Sequence, residues 1–198
     1  MIVGGGAVGV DFHLPRLRML AGCEVVEVVE PDAERRAALA QRFRGRRDLR
    51  LLAELPMVEH WSVAVIATPP RFHASYAATL AQRCDRLLIE KPLAPTVADA
   101  EAMVEVLDDA RAQAFVCHLR RALGSFAFVR DARERGIFGH LREVRVAEGG
   151  VFGWRAASMG SFSRTLNGGG VLQDTGPHTL DLLLQVFEDL RLEAAWMD

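Results

Sequence analysis

The feature that most constrains the fold of this chain is the order of its strand-like and helix-like hydrophobic patterns. Short runs rich in apolar and β-branched residues alternate with longer segments that carry apolar residues at helical spacing. Repeated strand-helix-strand units with right-handed crossovers form a parallel sheet that has helices on both faces. The predicted fold is therefore α/β with a doubly wound parallel sheet. The predicted strands are Met1–Val3, Val25–Glu30, Val63–Ala67, Leu87–Glu90 and Phe115–Cys117, and the predicted helices are Val8–Leu20, Asp32–Phe43, Arg71–Gln82 and Thr96–Arg111.

The pattern changes after Cys117. We therefore expect two domains, residues 1–117 and residues 118–198. The second has only two predicted strands, too few for an independently stable sheet, so we expect it to be the start of a larger, truncated domain. Its predicted elements are a helix at Leu123–Arg135, a turn at Gly136–Gly139, a strand at Leu141–Ala147, a helix at Pro177–Phe187 and a strand at Leu190–Ala194.

Composition and charge exclude several classes of partner. The chain has 24 basic and 26 acidic residues and a net charge of -2, so no electrostatic surface for nucleic acid is expected. The arginine-rich stretch 42–50 is interpreted as a helix end and a loop. No signal peptide and no apolar run of about 18 residues is present, so we expect a cytoplasmic protein with no membrane partner. Cys23, Cys84 and Cys117 lack the short spacings of metal sites, which predicts buried thiols and no metal.

A glycine-rich turn follows the first predicted strand. Gly4-Gly5-Gly6-Ala7-Val8-Gly9 satisfies the pattern G-x-G-x-x-G at a strand-to-helix junction. In that pattern Gly4 permits the tight turn, Gly6 lets the backbone approach a pyrophosphate, and Gly9 allows close helix-strand packing. Backbone amides at the helix start, including those of Ala7 and Val8, would hold the anion. A glycine run by itself also fits a simple turn.

Glu30 is the predicted acidic partner of this turn. It ends the second predicted strand, where a carboxylate accepts hydrogen bonds from both ribose hydroxyls and repels a 2′-phosphate. The sequence thus favours NAD as the cofactor. Arg35 and Arg36 leave NADP possible, and Glu30 also fits a surface carboxylate beside the helix that opens at Asp32.

Thr68, Pro69 and His73 follow the next strand of the crevice. Ligands of doubly wound sheets bind at the carboxyl ends of strands, so all three are candidate cofactor-binding residues. The prolines after Thr68 fit a strand end equally well. The position of His73 in the first turn of a helix favours a solvent-facing side chain.

Lys91 is the single lysine among the 24 basic residues, and it stands between Glu90 and Pro92. An ε-ammonium is compact and can transfer a proton, whereas a guanidinium is bulky and always charged. This predicts a catalytic Lys91, with Glu90 beside it at the cofactor. An arginine-biased composition would also leave one lysine anywhere. Pro92 makes the preceding peptide bond a candidate for the cis form.

Asp174 and His178 form the predicted reacting pair. Four residues apart, they would share one face of a helix or of a turn that enters a helix. A histidine can accept a hydroxyl proton while a neighbouring carboxylate binds the substrate hydroxyl, which suits oxidation of an alcohol. Asp181 would hold the imidazole or be an ordinary polar residue. Alternatively, Asp174 caps a helix and His178 is a satisfied buried histidine. The glycines at 168–170 indicate close backbone approach.

Together, the glycine turn, Ala67-Thr68-Pro69-Pro70, Glu90-Lys91-Pro92 and the block from Gly168 to His178 resemble the Gfo/Idh/MocA family of NAD(P)-dependent oxidoreductases. The resemblance implies a Rossmann domain followed by an α/β substrate domain with an open sheet, in a homo-oligomer when full length. It implies hydride transfer between nicotinamide and a secondary hydroxyl of a sugar, cyclitol or related polyol. By similarity Lys91 contacts the reacting hydroxyl and the cofactor, His178 is the acid/base, and Asp174 orients the substrate. The alternative is a truncated or degenerate member that binds NAD(P) as a sensor or scaffold without catalysis.

Overall fold

The chain divides into two compact units. In the computed structural model the described residues are 1–57, 59–110, 112–151, 163, 166, 170–187 and 190–196. The first unit comprises Met1–Cys117 with Gly153–Asp174, and the second comprises His118–Phe152 with Thr175–Asp198.

A parallel sheet forms the centre of the first unit, as predicted. Within the described residues it has six strands in the order β3-β2-β1-β4-β5-β6. The direction of strand succession reverses between β1 and β4, and ligands of such sheets bind at the carboxyl ends beside that reversal. The strands are β1 Ile2–Val3, β2 Val26–Val29, β3 Leu49–Leu52, β4 Trp61–Ile66, β5 Cys84–Ile89 and β6 Ala114–Val116.

The interpretation of residues 42–50 as a helix end and loop was wrong for their last part, because β3 begins at Leu49. This strand pairs in parallel with β2 from Leu49 opposite Val26 to Leu52 opposite Val29. Arg50 interrupts its short apolar run, and its exposed side chain lies 3.4 Å from the Glu27 carboxylate. An edge strand of four residues with a charged member has too little alternation to be recognised from sequence.

Helices lie on both faces of the sheet. Asp32 and Thr96 cap two of them by accepting hydrogen bonds from the amides of Arg35 (2.8 Å) and Asp99 (3.2 Å). None of the described helices is long and apolar enough to cross a bilayer. In chain order the helices are α1, π-helical at Val8–His13 and α-helical at Leu14–Leu17, then α2 Ala33–Arg42, α3 His73–Leu80, α4 Val97–Asp109, α5 Gly124–Glu134, α6 Val171–Asp174 and α7 Gly176–Val186.

Two apolar clusters, one on each face of the sheet, form the core of the first unit. Successive residues of a strand point to opposite faces, so Ile2 belongs to one cluster and Val3 to the other. The Ile2 cluster packs against Leu14 of α1 and Leu39 of α2. The Val3 cluster packs against α3 and α4, including Leu80 and Met103. This double burial explains why the strands are almost uniformly apolar.

In the second unit, α5 and α7 pack against each other and against a short 3₁₀ turn at Leu119–Ala122. The strands predicted at Leu141–Ala147 and Leu190–Ala194 are wrong, since neither segment forms a β-ladder among the described residues. A strand exists only where a neighbouring strand satisfies its N–H and C=O groups, and alternation alone supplies no neighbour.

The glycine turn is closely packed at Gly4, Gly5 and Gly9. Gly4 has a φ of +109°, a left-handed conformation that favours glycine. A Cβ on Gly9 would lie 2.1 Å from the carbonyl oxygen of Gly4 and 3.2 Å from Cγ2 of Ile2. A Cβ on Gly6 would meet nothing within 4 Å. Close helix-strand contact therefore requires glycine at position 9, whereas position 6 faces open space.

We expect Gly9→Ala to lower the free energy of unfolding by more than about 2 kcal/mol, because backbone must move to admit the methyl group. Urea unfolding followed by circular dichroism measures the change. Gly6→Ala is the matched control and should leave stability within about 1 kcal/mol of the wild type. Equal stability of the two variants would contradict the packing argument.

Candidate functional site

The glycine turn presents an open backbone at the carboxyl end of β1. Position 6 has free space beside it, and α1 begins directly afterwards. The first backbone N–H groups of a helix have no partner within that helix, so those near Ala7 and Val8 suit an anion. This arrangement fits the pyrophosphate of a dinucleotide.

The Glu30 carboxylate is hydrogen-bonded to the backbone of the glycine turn. Glu30 directly follows β2, is only 4% exposed, and accepts hydrogen bonds from the amides of Gly5 (3.2 Å) and Asp32 (2.9 Å). The alternative of a surface carboxylate is therefore wrong. Arg35 Nη2 lies 3.3 Å from the Glu30 carboxylate, and Arg36 donates to the Glu30 carbonyl at 2.7 Å. Both arginines that left NADP possible are thus engaged with Glu30.

His73 joins the segments that follow β4 and β5. Its ring is fully buried, with Nε2 2.8 Å from the Thr68 carbonyl and Nδ1 3.1 Å from the Leu93 carbonyl. The expected solvent-facing side chain is wrong, because the 3₁₀ turn at Pro70–Phe72 places His73 against the core. Burial lowers the pKa of His73. With no exposed surface it cannot touch a ligand directly, and its role here is to position Thr68.

Thr68 and Pro69 occupy the segment directly after β4, at the ligand-binding edge of the sheet. The Thr68 hydroxyl is buried and has no hydrogen-bond partner among the described residues. An unsatisfied buried hydroxyl is uncommon in proteins and fits a site completed by a bound molecule.

Lys91 and Asp174 form an ion pair within the first unit. The Lys91 ammonium donates to the Asp174 carboxylate at 2.7 Å and to its carbonyl at 2.6 Å. Gln173 anchors α6 by donating to the Pro95 carbonyl at 3.3 Å. The two side chains are 18% and 58% exposed, so the pair is open to a small molecule. The Lys91–Pro92 peptide bond is cis, as predicted.

Glu90 shares its carboxylate between two partners. Oε1 lies 2.7 Å from Nε2 of His13, and Oε2 accepts from the Lys91 amide at 3.2 Å. Burial, with the charge and a hydrogen bond of Glu90, raises the pKa of the adjacent Cys117 thiol to about 12. The thiol is therefore protonated near neutral pH, and Glu90 holds the backbone of the catalytic candidate beside it.

His178 lies in the second unit, on α7, and is 8% exposed. Asp174 and His178 are not on one continuous helix, because the chain turns at Thr175 and a new helix begins with Gly176 and Pro177. Of the two arrangements expected, the chain therefore forms the turn that enters a helix. Asp174 is also not the N-cap of that helix, since Thr175 holds that position. The His178 ring meets the ring of His118 edge-on, with centroids 6.2 Å apart.

Two carboxylates interact with His178. Glu148 is bonded by Arg120 and Thr179, and these bonds lower its pKa to about 2. Asp181 accepts from Arg121 at 2.8 Å, which lowers its pKa too. The His178 charge lowers both pKa values further.

Asp181 was expected either to hold the His178 imidazole or to be an ordinary polar residue. Its carboxylate is bonded by Arg121 and lies 3.8 Å from Nδ1 of His118. Both carboxylates are therefore ionised at neutral pH.

The sequence interpretation missed His13, His118 and Glu148. A sequence signal existed for His118, since it directly follows the strand predicted at Phe115–Cys117 and such sheets bind ligands at the carboxyl ends of their strands. No local pattern marks His13 or Glu148. Of the triple glycine, Gly168 and Gly169 lie outside the described residues.

Comparisons with known proteins identify the family. Residues 1–118 match the Gfo/Idh/MocA oxidoreductase family, which has an NAD-binding Rossmann fold. A D-apiose dehydrogenase from Paraburkholderia graminis is 30% identical over 196 residues, covering 96% of this chain and 52% of the relative. An inositol 2-dehydrogenase from Corynebacterium glutamicum is 29% identical over 148 residues, covering 73% and 43%.

The structure is similar to the WlbA dehydrogenase from Bordetella pertussis solved with NADH and UDP-GlcNAcA. The TM-score is 0.70 at 23% identity, covering 93% of this chain and 57% of that one, and this likeness concerns the fold. The chain spans about half the length of the curated relatives it matches.

The depressed pKa of Glu148 predicts acid sensitivity. A carboxylate with a folded-state pKa below its ordinary value of 4.5 stabilises the fold above that value, and the contribution is lost as the pH falls toward about 2. We expect Arg120→Met, which removes the main cause of the shift, to lose less stability than the wild type as the pH falls from about 5 to about 3. Thermal unfolding at each pH measures this, with Arg130→Met, whose guanidinium lies 3.9 Å from exposed Glu134, as control. Parallel pH profiles of wild type and Arg120→Met would contradict the assignment.

Proposed function

This chain belongs to the Gfo/Idh/MocA family of NAD-binding oxidoreductases, and we propose that it is part of a dehydrogenase that oxidises a secondary hydroxyl of a sugar, cyclitol or related polyol. Residues 1–117 would hold NAD, and residues 118–198 would begin the substrate domain. The Lys91–Asp174 ion pair, next to the carboxyl end of β5, is the observation that carries the proposal.

The residues present fit a dinucleotide. The turn at Gly4, Gly6 and Gly9, with the amides of Ala7 and Val8, would hold the pyrophosphate, and the buried Glu30 carboxylate would accept from the ribose hydroxyls. Thr68, Pro69, Glu90 and Lys91 would line the nicotinamide end. When bound, NAD supplies the hydride acceptor.

Lys91 and Asp174 would share the work of positioning the substrate. The Asp174 carboxylate can accept a hydrogen bond from a sugar hydroxyl while it holds the Lys91 ammonium at 2.7 Å. The ammonium can then stabilise the negative charge that develops on the hydroxyl oxygen as its proton leaves. A site built from one carboxylate and one ammonium favours a neutral, hydroxyl-rich substrate.

His178 is the proposed general base. An imidazole titrates near neutrality and can take the hydroxyl proton, and the ionised Glu148 and Asp181 would stabilise the imidazolium that results. The His118 ring lies edge-on to the same imidazole, and its Nδ1 is 3.8 Å from the Asp181 carboxylate.

The names of the relatives support the substrate class. D-apiose is a sugar and inositol is a cyclitol, and the relatives that bear those names are dehydrogenases. From its membership of this family, we also propose that the full-length protein is a homo-oligomer.

We expect Lys91→Met in the full-length protein to reduce kcat by at least about 100-fold, since charge stabilisation of the developing alkoxide is lost. Turnover is followed as absorbance of reduced nicotinamide with a panel of sugars and cyclitols. His178→Gln should also reduce kcat, whereas His60→Gln, at an exposed turn, is its control. Full turnover by the lysine variant would overturn the assignment, and a full-length wild type inactive on the whole panel while still binding NAD would favour a sensor or scaffold.

The cofactor site has a separate test. We expect Gly6→Ala to weaken NAD binding at least about tenfold without loss of stability, because its methyl group occupies the space that the pyrophosphate needs. Gly124→Ala, whose Cβ also meets nothing within 4 Å, is the matched control and should bind NAD normally. Titration of NADH fluorescence measures both, and unchanged affinity of Gly6→Ala would refute the placement.

A further inference from the structure

Three metal-binding side chains from distant parts of the sequence converge in the first unit. They are His13 of α1, Glu90 after β5 and Cys117 after β6. The His13 Nε2 and Glu90 Oε1 atoms are 2.7 Å apart, and one ligand atom from each of the three residues lies within 4.8 Å of the others.

We propose that His13, Glu90 and Cys117 form a binding site for Zn²⁺. Imidazole nitrogen, carboxylate oxygen and thiolate sulfur are the three donor types that zinc takes in proteins. The sulfur argues against Mg²⁺ and Ca²⁺, which prefer oxygen ligands. The carboxylate and thiolate together balance the charge of a divalent ion, and a water molecule would complete four-coordination.

The backbone already places these ligands side by side. Ile89 and Val116 are paired across β5 and β6, so the residues that follow them, Glu90 and Cys117, leave the sheet together. The Cys117 amide donates to the Ile89 carbonyl at 2.8 Å, and the Glu90 amide donates to the Ile66 carbonyl at 2.9 Å. Ligands on rigid elements need little ordering when a metal binds.

The distances are close to those of a zinc centre. Zn–N of about 2.0 Å and Zn–S of about 2.3 Å put tetrahedral ligand atoms roughly 3.3 to 3.6 Å apart. The His13–Glu90 contact would therefore open by about half an ångström, and Cys117, which lies within 4.8 Å of the other two ligand atoms, would move inward by up to about 1 Å. His13 is 7% exposed and the Glu90 side chain 12%, so competition from water is limited.

The zinc site takes no part in the proposed hydride transfer, although it shares Glu90 with the proposed cofactor site. Glu90 connects them, because its second oxygen accepts the Lys91 amide. A bound zinc ion would therefore restrain the residue next to the proposed catalytic lysine.

Cobalt provides a direct test. Tag-free, chelator-stripped protein is titrated with Co²⁺, which is expected to give a near-ultraviolet thiolate-to-cobalt band at one ion per chain, and Zn²⁺ should abolish that band by displacement. Cys117→Ser should remove the band and weaken Zn²⁺ binding, measured by calorimetry, at least about tenfold. Cys23→Ser, a half-buried thiol outside the cluster, should keep both.

Folding is controlled for by thermal unfolding of each variant without metal and by NADH titration. His13→Gln provides a second variant if Cys117→Ser is unstable, and it should weaken zinc binding while the thiol remains. Zinc should raise the melting temperature of the wild type and of Cys23→Ser only. Absence of the cobalt band in the wild type, or equal zinc affinity in wild type, Cys117→Ser and His13→Gln, would overturn the proposal.

Discussion

The parallel pairing of β1 with β2 and β4 is the constraint on which the rest of the first unit depends. β1 has only two residues, yet its hydrogen bonds set the register on both sides. Parallel strands end at the same edge of a sheet, so this pairing brings the glycine turn, Glu30, Thr68, Lys91 and Cys117 to one edge. A shift of one residue in either register would turn Ile2 and Val3 to the wrong faces and separate these groups.

Glu90 connects the parts of the site. One carboxylate oxygen meets His13 on the helix that follows the glycine turn, and the other accepts the amide of Lys91. Lys91 in turn reaches Asp174 at the end of α6. The helix of the cofactor turn and the proposed catalytic amine are thus joined through one side chain. In the second unit the corresponding organisation is electrostatic, since arginines keep Glu148 and Asp181 ionised beside His178.

Prediction from sequence succeeded where the residues of a segment by themselves favour the structure that the segment forms. Val26–Val29 and Cys84–Ile89 are strands because buried β-branched and leucine runs suit a sheet covered on both faces. It failed at Leu49–Leu52, where an arginine interrupts a short edge strand, and at Leu141–Ala147, where alternation is present but no partner strand is paired within the described residues. Whether a segment becomes a strand depends on its neighbour, which local sequence does not specify.

The sequence by itself determined the family, the doubly wound sheet, the glycine turn and the candidates Glu30, Lys91, Asp174 and His178, because glycine geometry, helical spacing and a unique lysine are properties of short segments. Only the tertiary structure decided that Lys91 contacts Asp174, 83 residues away, and that His13 contacts Glu90, 77 residues away. It also decided that the His73 ring is buried between the carbonyl groups of Thr68 and Leu93. Such contacts arise when packing of the two apolar clusters brings distant strand ends together, and no periodicity along the chain records which side chains then face each other.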